Sequence, residues 1–154
     1  MTRMLGPRFP INQAAQIAAD LPSPLFLTFS GEITATSPGH PLGACGISAK
    51  VRNVWLSVLG KGKINVNPLS IAADVLINGT SCLTTQPIIA ASSATSTNGN
   101  TLTSGTGITQ AVVDGSANTI TPGDFLSCDL TLVRTASPTT EINNVTVVVE
   151  IEPV

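Results

Sequence analysis

Asn144-Val145-Thr146-Val147-Val148-Val149-Glu150-Ile151-Glu152-Pro153-Val154 is a β-branched run that stays strand-like to within one residue of the end of the sequence. Side chains alternate across a strand, so Val145, Val147, Val149 and Ile151 share one face and Thr146, Val148, Glu150 and Glu152 the other. The chain is therefore expected to close by adding a strand to a sheet. Phe125-Leu126-Ser127-Cys128-Asp129-Leu130-Thr131-Leu132-Val133 repeats the period of two. It sets Leu126, Cys128, Leu130 and Leu132 inward and Ser127, Asp129 and Thr131 outward.

Upstream, residues 70–77 align Ile71, Ala73, Val75 and Ile77 on one face. Asn78-Gly79 follows as the strongest hairpin signal in the chain, because both central residues of a type I′ turn need positive φ. It leads into a strand over 81–85. Residues 25–29 and 32–36 read as short strands, Pro38-Gly39-His40-Pro41-Leu42-Gly43 as a turn-rich loop, and 45–59 as a long strand or pair of strands. Within the last, Val54, Leu56 and Val58 continue on the parity opposite to Val51, which predicts a β-bulge near Asn53. Residues 61–68 form a turn. Residues 91–107 are almost all Ala, Ser, Thr, Gly and Asn, too polar for a core, and read as a surface loop. Residues 108–113 resume the strand pattern, and 118–121 lead into the turn Pro122-Gly123-Asp124. About eight strands with turn signals between them predict an all-β domain over 25–154, an antiparallel β-sandwich or jelly roll.

Residues 1–24 differ. Pro7, Pro10, Pro22 and Pro24 divide them, and only the Ala-rich stretch 12–21, capped by Asn12, permits a helix of one or two turns. The segment reads as an extended N-terminal arm held by its own domain or by a neighbouring chain.

At 154 residues the chain is about one domain and long enough to bury a core. Only 10% of its residues are charged, against roughly a quarter in an average soluble domain, and its mean hydropathy is positive. So sparse a charge predicts a surface covered largely by partners. In residues 1–63, Arg3, Arg8, Lys50, Arg52, Lys61 and Lys63 outnumber Asp20 and Glu32, whereas in the rest Arg134 faces seven acids. That asymmetry suits a basic and an acidic pole.

The three cysteines, Cys45, Cys82 and Cys128, match neither a zinc knuckle nor a redox pair. Being odd in number, they leave at least one thiol free, in keeping with a reducing cytosol. Cys128 reads as a small buried hydrophobe. The sequons at Asn78 and Asn144 lie in or beside strands, and no apolar stretch is long enough for a secretory signal or a membrane span.

Little in the chain points to catalysis. The single histidine, His40, has no Cys or His at ligand spacing and reads as a loop residue. No nucleophile elbow, P-loop or dinucleotide fingerprint is present. Asp114, Asp124, Asp129, Glu150 and Glu152 include no evident glycosidase pair, since such sites need aromatic platforms and the chain offers only Trp55 and four phenylalanines. Asp114 and Asp124 sit beside glycine in turns, where a short acceptor bonds its own backbone. The same aromatic poverty argues against base stacking, and seven basic residues form no stripe for duplex DNA. Trp55, in a strand, reads as core. No cofactor, metal, nucleic acid or membrane is expected as a partner, and no enzymatic activity.

Four pieces carry a resemblance: residues 75–84 (Val-Leu-Ile-Asn-Gly-Thr-Ser-Cys-Leu-Thr), 111–114 (Ala-Val-Val-Asp), 121–130 (Thr-Pro-Gly-Asp-Phe-Leu-Ser-Cys-Asp-Leu) and 145–150 (Val-Thr-Val-Val-Val-Glu). Together they resemble the small β-sandwich structural proteins of tailed bacteriophages, in particular head decoration, or cement, proteins. They make up under half of the chain, and each is a strand plus a turn. The resemblance implies a homotrimer on the outside of the capsid, assembled in the host cytoplasm and tying capsomers of the major capsid protein together. On that basis Arg3, Leu5, Arg8, Phe9, Ile11 and Ile17 of the arm are the candidate capsid contacts. A tail- or fibre-associated adhesion module is the alternative, and a carbohydrate-binding or carbohydrate-processing domain a third class.

Overall fold

Strand periodicity governs nearly everything in the computed structural model, which describes residues 23–92, 96–135 and 138–154. In chain order the strands are β1 (Ser23–Ile33), β2 (Ser37–Ala44), β3 (Ala49–Gly60), β4 (Leu69–Ile77), β5 (Thr80–Ser81), β6 (Leu83–Thr85), β7 (Ile88–Ala90), β8 (Gly99–Asn100), β9 (Ile108–Thr109), β10 (Val112–Val113), β11 (Thr119–Ile120), β12 (Phe125–Arg134) and β13 (Ile142–Pro153). Sheet 1 runs β1-β13-β3-β11, with β8 also on β3. Sheet 2 runs β2-β12-β4-β7-β9, with β5 on β4, and β10 and β6 form a small ribbon.

The four long N-terminal strands alternate between the sheets, and the chain then returns with β12 between β2 and β4 and β13 between β1 and β3. This nested antiparallel winding is that of a jelly roll. Expectation and structure agree on an all-β antiparallel sandwich, with thirteen strands among the described residues rather than about eight because several are only two or three residues long.

The core lies between the sheets. Sheet 1 contributes Val51, Val54, Leu56, Val58, Val145, Val147 and Val149, and sheet 2 contributes Leu69, Ile71, Ala73, Val75, Leu126, Cys128 and Leu130, all buried. Each large side chain among them stabilises the fold by about 1.5–3 kcal/mol relative to exposure. The predicted bulge is present: Glu150 pairs with Asn53 and Ile151 with Val51, leaving Arg52 as the extra residue. It is this inserted residue that lets Val51 and Val54 both point inward. Asn53 Oδ1 closes the bulge by accepting the Val54 amide at 2.9 Å. The turn after β4 has the expected type I′ signs, with φ 51° at Asn78 and 82° at Gly79.

Several expectations are corrected. Residues 38–43 are not a loop but most of β2, which pairs with β12 through two register shifts. As an edge strand β2 tolerates Pro38 and Pro41, which lack a ladder donor, and its glycines supply positive φ at the irregularities. Glu32 and Ile33 are the end of β1, continued past an irregularity after Phe29, rather than a strand of their own. The strand expected at 81–85 divides at Cys82, because β5 stays on β4 whereas β6 leaves to pair with β10. The one expected at 108–113 divides into β9 and β10, and β7 was not anticipated. The polar stretch 91–107 is more than a surface loop: β8 pairs with β3, and Thr101 is only 2% exposed. The helix expected at 12–21 lies outside the described residues, and β1 begins at Ser23 rather than at residue 25.

Candidate interaction surface

The arm residues singled out from the sequence, Arg3, Leu5, Arg8, Phe9, Ile11 and Ile17, lie outside the described residues. The chemistry-bearing side chains that are described turn out to be dispersed and engaged locally. Asp114 Oδ1 accepts the Ser116 amide and hydroxyl at 2.8 and 2.6 Å. Asp124 accepts from the Thr121 amide at 2.7 Å and from Asn78 Nδ2 at 2.7 Å. Both carboxyls are held below the usual carboxylate range by these bonds, those from Ser116 at Asp114 and chiefly that from the Thr121 amide at Asp124. They are turn-forming residues, as read from the sequence.

Asp129 accepts the Gly39 amide at 2.6 Å, and Glu152 lies 2.9 Å from Arg52 in an exposed ion pair. That pair joins the basic and acidic parts of the sequence in space at one point. Arg134 makes a paired contact with Glu141, with Nη2 2.6 Å from Oε1. His40 is a strand residue rather than a loop residue. Its ring meets Phe29 edge-on with centroids 4.5 Å apart, and Nε2 lies 2.6 Å from Ser37 Oγ, so it packs at the margin between β1 and β2.

Cys82 and Cys128 are buried and their thiols are pushed up to about 12, first by burial and then by the nearby Asp74 and Asp129 respectively. Such thiols are almost wholly protonated at neutral pH and poor nucleophiles. Cys45 is half-buried, donating to the Ile47 carbonyl at 3.3 Å. Among the described residues no group of three or more His, Cys, Asp or Glu side chains is placed to hold a metal ion. Nor is any helix there long and apolar enough to cross a membrane.

What the fold does bring together is surface. Trp55 is not core: Val54 and Leu56 point inward, so alternation turns Trp55 out on sheet 1. There it stands opposite Val148, which in turn stands opposite Phe26. Phe26 is 65% exposed, whereas Val148, between the two aromatic residues, is only 4% exposed although it lies outside the core cluster. The next row is polar, Ser57, Thr146 and Thr28, with the two threonine hydroxyls 3.3 Å apart. The opposite end of the face carries Lys50, Arg52, Glu150 and Glu152. On sheet 2 the outward face sets Asp74 directly opposite Asp129.

Beside the polar row opens a groove of about 660 Å³, lined among others by Ser57, Lys61, Asn98, Asn100, Thr106 and Thr146. Its hydroxyls and amides offer hydrogen bonds and Lys61 one cation. A smaller apolar notch of about 150 Å³ lies between Leu25, Leu42, Cys45, Leu126 and Ile151. The row on sheet 1 was legible in principle, since the parity that sends Val54 and Leu56 inward sends Trp55 outward. Its cross-strand assembly from β1, β13 and β3 depends on long-range register.

No protein-family description matches the sequence, and no curated protein matches it. Among solved structures, a chain described as Desmodium yellow mottle tymovirus is similar at 10% sequence identity and a TM-score of 0.36, with 99% of this chain and 94% of that one covered.

Proposed function

We propose that this chain is a virion structural protein that binds the outside of a bacteriophage capsid as a homotrimer and cements the head. The observation that carries the reading is the outward face of sheet 1, where an apolar row led by the exposed Phe26 lies at one end and the charges gather at the other. Apolar area gathered in this way marks a protein-binding surface. By contrast, among the described residues the carboxylates and buried thiols lie in turns, ladders or core, and none converge on a cleft. The pieces that resemble decoration proteins also support it, since 75–84, 121–130 and 145–150 fall on β4 to β6, on β12 and its preceding turn, and on β13.

On this reading the arm, with Arg3, Leu5, Arg8, Phe9, Ile11 and Ile17, grips the major capsid protein, and the jelly roll makes the contacts between copies. The protein acts from the capsid exterior after assembly in the host cytoplasm, without a cofactor, nucleic acid or membrane and without catalysis. Extensive contacts between copies suit so charge-poor a domain, as obligate interfaces bury about 2,000 Å² or more of largely apolar surface.

The experiment is addition of purified protein to bare heads. Deleting residues 2–21 is expected to preserve the trimer and abolish head binding; unchanged occupancy overturns the arm's role. Copy number is the second readout. Decoration requires a trimer for each three-fold position of the shell, whereas a handful of copies per particle points to the tail or fibre instead.

A further inference from the structure

We propose that the β1 side of sheet 1, from Phe26 through Val148 to Trp55, is the surface on which a second copy of this chain packs. The inference rests on the homotrimer reading and names its contact.

Three observations select this surface and this occupant. The first is the row itself, apolar across three adjacent strands and led by a largely exposed phenylalanine. The second is the state of the sheet edges. An unpaired edge invites another strand, and proteins blunt edges with charge, proline, bulges or brevity. Edge strand β2 carries Pro38, Pro41 and two register shifts, and β9 and β11 are two residues long. Strand β1 pairs with β13 alone among the described strands, and although Pro24, Glu32 and a register shift after Phe29 interrupt it, residues 25–29 carry no charge, proline or bulge. Among the described strands that stretch is the longest edge without such features.

The third observation is charge. Lys50 and Arg52 are balanced by Glu150 and Glu152 on the same face, with Arg52 paired to Glu152, so that face carries no net charge to oppose the approach of another copy. The outward face formed by β4 and β12 opposes Asp74 to Asp129 with no basic residue between them. Two such faces repel each other. The neutral, partly apolar face of sheet 1 therefore suits contact with another copy better than the acidic face of sheet 2.

The test is sedimentation velocity on the full chain, wild type against Phe26→Lys and Phe26→Thr, with Val133→Lys on sheet 2 as control. Circular dichroism checks that each variant is folded, and Phe26→Thr keeps β-propensity if the lysine is not tolerated. Wild type is expected to sediment as a trimer. Both Phe26 variants should weaken association at least about tenfold, as removal of a central aromatic anchor does, whereas Val133→Lys leaves it unchanged. Folded Phe26 variants that assemble like wild type overturn the inference, as does equal dissociation by Val133→Lys. Head binding separates the two readings. A monomeric wild type that still decorates heads refutes this contact and leaves the capsid role, whereas a Phe26-dependent trimer that ignores heads does the reverse.

Discussion

Replacing Thr101 by valine isolates one hydrogen bond. Thr101 Oγ1 accepts the Leu56 amide at 2.9 Å, and the Thr101 amide returns a bond to the Leu56 carbonyl at 2.9 Å. Valine keeps the β-branched shape and the backbone bond and removes only the acceptor. The Leu56 amide, beside a fully buried side chain, is then left without a partner. Leaving a buried donor unsatisfied costs about 1–3 kcal/mol, so the expected loss is about 2 kcal/mol. For a domain of this size that lowers Tm by about 4–8 °C. Thr101→Ser keeps the hydroxyl and gives up a methyl group, for about 1 kcal/mol. Urea unfolding followed by circular dichroism should therefore order the proteins wild type, serine, valine, with unchanged m-values. A valine variant as stable as wild type, or a serine variant less stable than the valine one, refutes the reasoning.

Two further outcomes follow from the protonation states. Native protein treated with a thiol reagent at neutral pH should modify Cys45 alone, and all three cysteines once unfolded in guanidinium; rapid native labelling of Cys82 or Cys128 contradicts their burial. Asp124 is a carboxyl depressed in the folded state, so its stabilisation is present above the unfolded value near 3.9 and lost as pH falls through the lower folded value. The gap in urea midpoint between wild type and Asp124→Asn should accordingly narrow below about pH 4. A gap that is constant with pH, or that widens in acid, counts against the hydrogen bonds from Thr121 and Asn78 as its source.

The parts of the fold legible in the sequence are those where one strand carries its own evidence. β4, β12 and β13 alternate so regularly that their inward residues could be named, and those residues are buried, Leu132 only partly. The parity slip at Asn53 and the Asn78-Gly79 turn are local signals too, and both took the expected form. What was misread depends on partners distant in sequence. The prolines and glycines of β2 are turn-formers by composition, yet β12 recruits them into a ladder as an edge. Thr101 belongs to a stretch with no apolar content, and only the edge of β3 gives it a buried place. Trp55 was assigned to the core because it lies in a strand, although the alternation of its neighbours turns it outward. The same limit applies to the candidate surface, whose three principal residues lie on strands that only the folded register makes adjacent.

Strand β13 has one more consequence, which concerns the order of synthesis. It separates β1 from β3 in space but follows both along the chain, with ladder partners such as Thr28 and Thr146 lying 118 positions apart. Until it is made, β1 has no partner among the described strands and β3 only the two-residue strands β8 and β11, so sheet 1 has no middle. Folding of this domain therefore waits on its last strand, a high-contact-order route that is slow and leaves apolar strands exposed in the interim. A nonsense codon between β12 and residue 142 leaves β1 and β3 unjoined, not a shorter version of the domain.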